Sequence, residues 1–310
     1  MKKAFISIAA GLAVIAAFVI FKNIFSCYLP AKNRGIQTVI RQGDLELLFL
    51  GSSTFRCNID MPLVDEAYDG RDYDIAYAGN QPVATVPEYE ELRAGGNSYG
   101  LMVFDLNPML LSQAVKISDA RVIWDLTFPS KLRLWKGMKD SEETDLSTFY
   151  EFFVTSGMDD LITYPITEPF YLTRYYKGAK TEETPASSRE YLENESFDIS
   201  KEKVNESQRA AVAALVRRCR EDGQRFVFIE TPHYYRLADD PKYRQLKSVF
   251  VKTLEDEGVD EYILAEDIEM DNRNSEFFED MTHFSAAGRR EYTRLLLEYL
   301  KDQSPSSSID

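Results

Sequence analysis

The stretch Leu45–Leu50 constrains the chain most, because it is apolar at every position except Glu46 and stops at Gly51-Ser52-Ser53. A short, nearly continuous apolar run bounded by turn residues reads as a strand buried on both faces of a parallel sheet. A glycine followed by two small hydroxyl residues suits a tight strand-to-helix turn. A chain built on such a strand must supply helices for both faces, and the turn falls where open α/β sheets bind their ligands.

The rest of the chain meets that demand. Arg71–Ala78 reads as a second strand ending at Gly79-Asn80, and Tyr99–Leu106 as a third ending at Asn107-Pro108. Arg121–Leu126 reads as a fourth strand, Phe226–Glu230 as a fifth ending at Thr231-Pro232-His233, and Tyr262–Ala265 as a short extended piece. Helical patterns lie between them: one broken near Pro62, one over Val86–Ala94 stopped by Gly95-Gly96, then Lys201–Glu221 and Pro241–Glu257. A final helix capped by Ser285 runs to about Lys301. Strands alternating with helices predict an α/β fold, with a roughly five-stranded parallel sheet covered on both faces, over residues 43–302. An insertion at about 136–200 is acidic and rich in Tyr and Phe, including Phe149, Phe152, Phe153, Tyr164, Phe170 and Tyr171. Packing of a local core is the favoured reading of these aromatics, over lining a cleft or meeting a membrane partner. Residues 303–310 read as a disordered tail.

Ahead of the fold, Met1-Lys2-Lys3 precedes an uncharged run from Ala4 to Phe21, closed by Lys22. Its length and basic flank predict a signal anchor over residues 1–22, with a connector at 23–42 and the remainder outside the cytoplasm. No Ala-x-Ala site follows it, which favours an uncleaved anchor over a cleaved signal peptide. Ile24-Phe25-Ser26-Cys27 is a poor lipoprotein box because of the bulky Phe25. The net charge of −15 excludes a nucleic-acid backbone as partner and offers anionic lipid no broad basic face. Three cysteines without a Cys-x-x-Cys pair imply neither a disulfide framework nor a zinc knuckle, and no cofactor or metal is expected.

The chain holds only two histidines. His283 lies three residues after Asp280 in a loop that feeds a helix, so one turn can bring base and carboxylate to the same place. His233 has no comparable acid neighbour and is read as structural, and Cys57, one helical turn past Ser53, as a packing residue. A serine at a strand-to-helix turn together with a histidine and an aspartate is the set that nucleophilic acyl transfer requires.

These residues carry a resemblance. Gly51-Ser52-Ser53 resembles the first block of the SGNH (GDSL-type) hydrolase superfamily, with Ser52 where an aspartate is commoner, and Asp280-Met281-Thr282-His283 matches its Asp-x-x-His block. The third block reads Asp105-Leu106-Asn107-Pro108 where Gly-x-Asn-Asp is usual. The resemblance implies a three-layer, flavodoxin-like α/β/α sandwich with Ser53, His283 and Asp280 as catalytic triad and Gly79 and Asn107 as oxyanion-hole residues. The anchor, the Gly-Ser-Ser form and the aromatic insertion look more like the envelope branch, which includes the D-alanyl transfer protein of teichoic acid modification and polysaccharide O-acetyltransferases. That branch implies an esterase or acyltransferase acting on an acylated glycan or polymer, with a membrane acyl-transfer partner possible in principle. A catalytically silent protein of the same fold, binding a glycan or such a partner, is the alternative.

Overall fold

The computed structural model describes residues 2–26, 35–139, 145–155 and 174–303. Five strands form one sheet, β1 (Leu45–Gly51), β2 (Asp72–Ala76), β3 (Tyr99–Asp105), β6 (Phe226–Ile229) and β7 (Tyr262–Ile263), in the order β2-β1-β3-β6-β7. Every pairing is parallel, with Leu48 opposite Tyr73 on one side and Met102 on the other. A separate antiparallel hairpin, β4 (Tyr175–Tyr176) and β5 (Ala179–Lys180), lies along the outer edge of β2, where the Asp74 N–H donates to the Lys177 carbonyl at 2.9 Å. That contact covers the sheet edge that β2 would otherwise expose.

Alternation along β1 explains its composition. Leu48 and Leu50 join Met102, Phe104 and Phe228 in a core shared with the helices Pro82–Ala94 and Glu206–Glu221. Leu47 and Phe49 point the other way, joining Val103 and Ile229 under Phe55 of helix Ser53–Asn58, Val64 of helix Met61–Ala67 and Tyr292 of helix Ala286–Gln303. A strand with helices on both faces has no solvent face, so both residue sets must be apolar. Each such side chain contributes about 1.5–3 kcal/mol on burial. From β1 the chain crosses to β2, then returns to the opposite side of β1 as β3. That reversal leaves a crevice at the carboxyl ends of β1 and β3.

Three sequence readings change. Arg121–Leu126, expected as a strand, is instead the helix Arg121–Asp125, with Val122 and Ile123 turned into the core and Asp125 accepting the Tyr77 hydroxyl at 2.5 Å. Periodicity cannot separate strand from helix in a run this short. The fifth strand of the sheet is β7, within the piece read only as extended. The helix expected from Lys201 starts at Glu206, because the Asn205 side chain accepts the Ser207 N–H and caps it there.

In the insertion, Trp135 of helix Phe128–Lys139 packs on Phe149, Phe152 and Phe153, each with ring centroids 5.5 Å away, and Phe152 and Phe153 are buried. Phe152 and Phe153 join the core on the Leu48 side of the sheet with Trp135 packed against it, while Phe149 stays exposed. Tyr164, Phe170 and Tyr171 lie outside the described residues, as do residues 304–310 of the tail. The N-terminal residues form a helix, Lys2–Phe25, whose stretch Phe5–Phe25 is long and apolar enough to cross a membrane. Its carboxyl end is fastened to the insertion: Lys131 donates to the Asn23 carbonyl and to Ser26, and the Asn23 amide donates to the Phe153 carbonyl at 2.7 Å.

Candidate active site at the carboxyl edge of the sheet

β1 delivers Ser53 through a turn that only glycine permits, since a Cβ on Gly51 would come within 2.7 Å of both the Asp105 Cβ and the Phe55 ring. Ser52 caps the helix that begins at Ser53, its hydroxyl accepting the Thr54 N–H. Ser53 occupies the first helical position, half-buried, where its backbone N–H has no partner within the helix.

Asp280 and His283 face it from the loop before helix Ala286–Gln303. Asp280 Oδ1 accepts the backbone N–H groups of Thr282 and His283 at 2.7 and 2.8 Å, which folds the loop back on itself. Its Oδ2 lies 2.7 Å from His283 Nδ1, and His283 Nε2 lies 2.9 Å from Ser53 Oγ. Burial alone would raise the Asp280 carboxyl, but the His283 hydrogen bond and charge and the two backbone donors outweigh it and hold the group well below the usual carboxylate range. An ionised Asp280 accepts the Nδ1 proton, so the Nε2 lone pair faces the serine hydroxyl. The structure thus brings Ser53, His283 and Asp280 into one hydrogen-bonded chain.

Two residues that sequence reasoning passed over hold this chain in place. Asn58, fully buried on the helix that starts at Ser53, donates from its amide to the Thr282 carbonyl at 3.0 Å and accepts the Phe284 N–H at 2.8 Å. It clamps the histidine loop to the serine's own helix from both sides of His283. Asp105, at the end of β3, accepts on Oδ2 from the Ser52 N–H, the Ser52 hydroxyl and the Thr54 hydroxyl, at 3.1, 2.6 and 2.5 Å. Burial holds its carboxyl above the ordinary range despite these three donors. The two departures from the resembled blocks meet here: the carboxylate absent at residue 52 stands at residue 105 on the neighbouring strand. Two paired departures on adjacent strands were the available signal for Asp105, whereas Asn58 left none.

Gly79 and Asn107 lie at the ends of β2 and β3, the strands flanking β1, and neither hydrogen-bonds to Ser53 among the described residues. Gly79 adopts the left-handed region at φ +63°, and a Cβ there would press to 2.9 Å from the Ser118 side chain. The preceding Ala78 N–H donates to Asp119, itself gripped by Arg121. Asn107 accepts the Met109 N–H on Oδ1 at 3.1 Å, which leaves its Nδ2 for another acceptor. Cys57 has its thiol pushed up to about 11 by burial, which suits packing and not nucleophilic attack. His233 lies past the end of β6, buried, with neither ring nitrogen hydrogen-bonded. Among the described residues, no cluster of His, Cys, Asp and Glu could hold a metal ion.

No family model matches the chain, and no curated protein does. Among solved structures it is similar to a Streptococcus pneumonia protein provisionally described as a platelet activating factor, at 11% identity and a TM-score of 0.40, covering 94% of this chain and 99% of that one. It is also similar to an acetylxylan esterase of Geobacillus stearothermophilus, in a catalytic mutant at 13% identity and a TM-score of 0.41, covering 83% of this chain and 94% of that one. A second variant of that esterase aligns at 14% identity with the same TM-score and coverage.

Proposed function

We propose that this chain is a membrane-anchored serine esterase or O-acyltransferase, with its catalytic domain outside the cytoplasm, acting on ester substituents of a cell-envelope glycan or similar polymer. The observation that carries the reading is the chain of contacts from Ser53 Oγ to His283 Nε2, 2.9 Å, and from His283 Nδ1 to Asp280, 2.7 Å. Membrane anchorage rests on the apolar helix, and the polymer substrate on the resemblance of the anchor, the Gly-Ser-Ser form and the aromatic insertion to the envelope branch.

Ser53 Oγ attacks the acyl carbonyl carbon while His283 Nε2 takes the hydroxyl proton, and the tetrahedral oxyanion meets the N–H groups of Ser53 and Gly79 and the Asn107 amide. The carbon–oxygen bond to the alcohol then breaks, with His283 returning the proton to the departing oxygen. Water or a sugar hydroxyl next attacks the Ser53 ester, His283 accepting the attacker's proton and handing it back to Ser53 Oγ. Asp280 holds the imidazole in the useful tautomer throughout.

A fluorophosphonate probe is expected to label the full-length protein in detergent, with labelling abolished in Ser53→Ala. Labelling that persists in that variant overturns the assignment. A wild type that neither reacts with the probe nor hydrolyses p-nitrophenyl acetate, yet co-purifies with a partner, would favour the silent alternative.

A further inference from the structure

The carboxyl edge of the sheet holds a cavity of about 500 Å³, between the end of β6 and the segment that follows β7. Its volume lies within the roughly 300–1,000 Å³ of small-ligand sites. Glu230, His233, Tyr243, Lys247, Ile268 and Met270 form much of its wall.

The wall carries more acids than bases, with Glu230, Asp239, Glu266 and Glu269 against Arg244 and Lys247, and both bases are already paired. Glu230, 2% exposed, pairs with Lys247 at 2.5 Å and accepts the Tyr243 hydroxyl at 2.8 Å and the Ala265 N–H at 3.0 Å. Lys247 also pairs with Glu266, and Arg244 with Asp239. Neither cation of the wall is left to draw a phosphate or carboxylate. His233 is different. It is 2% exposed, its ring sits edge-on to Tyr243 with centroids 5.3 Å apart, and both of its nitrogens lack a hydrogen bond. A buried polar group without a partner is costly, and a group kept that way is explained by a partner that arrives from outside the chain. Burial, and after it the neighbouring His283, keep the ring neutral by lowering its pKa to about 3, so it offers one donor and one acceptor. The chain connects the two places directly: the Tyr234 N–H, next to His233, donates at 3.0 Å to the carbonyl of Met281, between Asp280 and His283.

We infer that this cavity is a subsite for a neutral, hydroxyl-rich ligand, the saccharide portion of the ester or of the acyl acceptor, and that His233 hydrogen-bonds a sugar hydroxyl there. Pro232, Ile268 and Met270 supply the apolar surface on which a sugar face packs. The inference rests on the catalytic reading for its ligand class, and the two can fail separately.

The test is calorimetric titration of full-length Ser53→Ala in detergent with xylotriose, cellotriose and triacetylchitotriose, with the glucosamine trimer and a galacturonate trimer as cationic and anionic arms. At least one neutral trisaccharide is expected to bind. Adding His233→Phe should weaken that binding roughly fivefold to tenfold, the share of one hydrogen bond. Adding Met270→Trp, which puts a larger side chain into the cavity and leaves residue 233 unchanged, should abolish it, and this variant carries the test should His233→Phe fail to fold. Absence of binding by every neutral trimer, binding confined to a charged arm, or binding indifferent to Met270→Trp overturns the inference. Fluorophosphonate labelling of the wild type reports on the catalytic reading alone, so a labelled protein that binds no saccharide rejects the subsite and leaves the catalytic reading standing.

Discussion

The two histidines of this chain stand on the same edge of the sheet and are treated in opposite ways. His283, half-buried, has both ring nitrogens engaged, one by Asp280 and the other by Ser53. His233, buried, has neither. A general base must be oriented before substrate arrives, so its neighbours belong to the protein. A group that recognises a ligand must keep its polar atoms unspent, at a cost of about 1–3 kcal/mol for each unpaired buried atom. On the proposed reading, the difference separates a position prepared for chemistry from one prepared for recognition, using the same side chain.

The largest expected effect breaks the prepared member of the pair. Asp280→Asn keeps the side chain's shape but replaces the ionised acceptor with an amide, whose NH₂ group favours the opposite imidazole tautomer. On the proposed reading, kcat for p-nitrophenyl acetate falls by about 10⁴, as expected when the orienting carboxylate is lost. Turnover unchanged in a variant with a wild-type circular dichroism spectrum would remove His283 from the chemistry and erase the contrast.

How far these positions could be read from sequence follows from how local their causes are. β1, β2, β3 and β6 were legible because burial on both faces writes itself into consecutive residues such as Leu47, Leu48, Phe49 and Leu50. The Asp280–His283 contact was legible because three residues of loop suffice to make it. Arg121–Asp125 reads as a strand because five residues are too few for periodicity to separate strand from helix. Asn58 was missed because its partners lie 224 and 226 residues away. His233 was read as structural because neither its cavity nor its missing partners can be seen in one dimension.

An intermediate effect tests what supports the serine. Asp105→Asn retains an oxygen that accepts at most two of the three converging donors and removes the charge that strengthens them. The expected result is a loss of about 1–3 kcal/mol in stability, from one unpaired buried group. A fall in kcat of about tenfold with little change in KM is also expected, because the Ser53 turn is positioned less tightly. Thermal unfolding and steady-state kinetics on a model ester check both. Loss of stability with kcat intact would make Asp105 a fold element that does not position the nucleophile.

The smallest effect is a matter of pH, and it bears on the unengaged member of the pair. His233 has its pKa lowered from 6.5 to about 3 in the folded chain, first by burial and then by His283. In the unfolded chain the ring takes a proton as pH drops below 6.5, and in the folded chain it does not. Folding stability from this group is therefore complete above pH 6.5 and is lost as pH falls toward 3, at up to about 1.4 kcal/mol per unit. Asp280, whose folded carboxyl is also depressed, adds its own loss only once pH drops below an ordinary carboxylate value of roughly 4. The interval from pH 6 to 4.5 therefore avoids Asp280 but not Asp72, whose carboxyl burial raises to about 6, so His233 is read as the difference between the wild type and His233→Phe. Over it, the unfolding midpoint of the wild type should decline more steeply than that of His233→Phe, measured by thermal denaturation of the full-length protein in one detergent and buffer series. Parallel curves would mean that His233 takes up its proton as readily in the folded chain as in the unfolded one, so that burial does not keep its ring neutral.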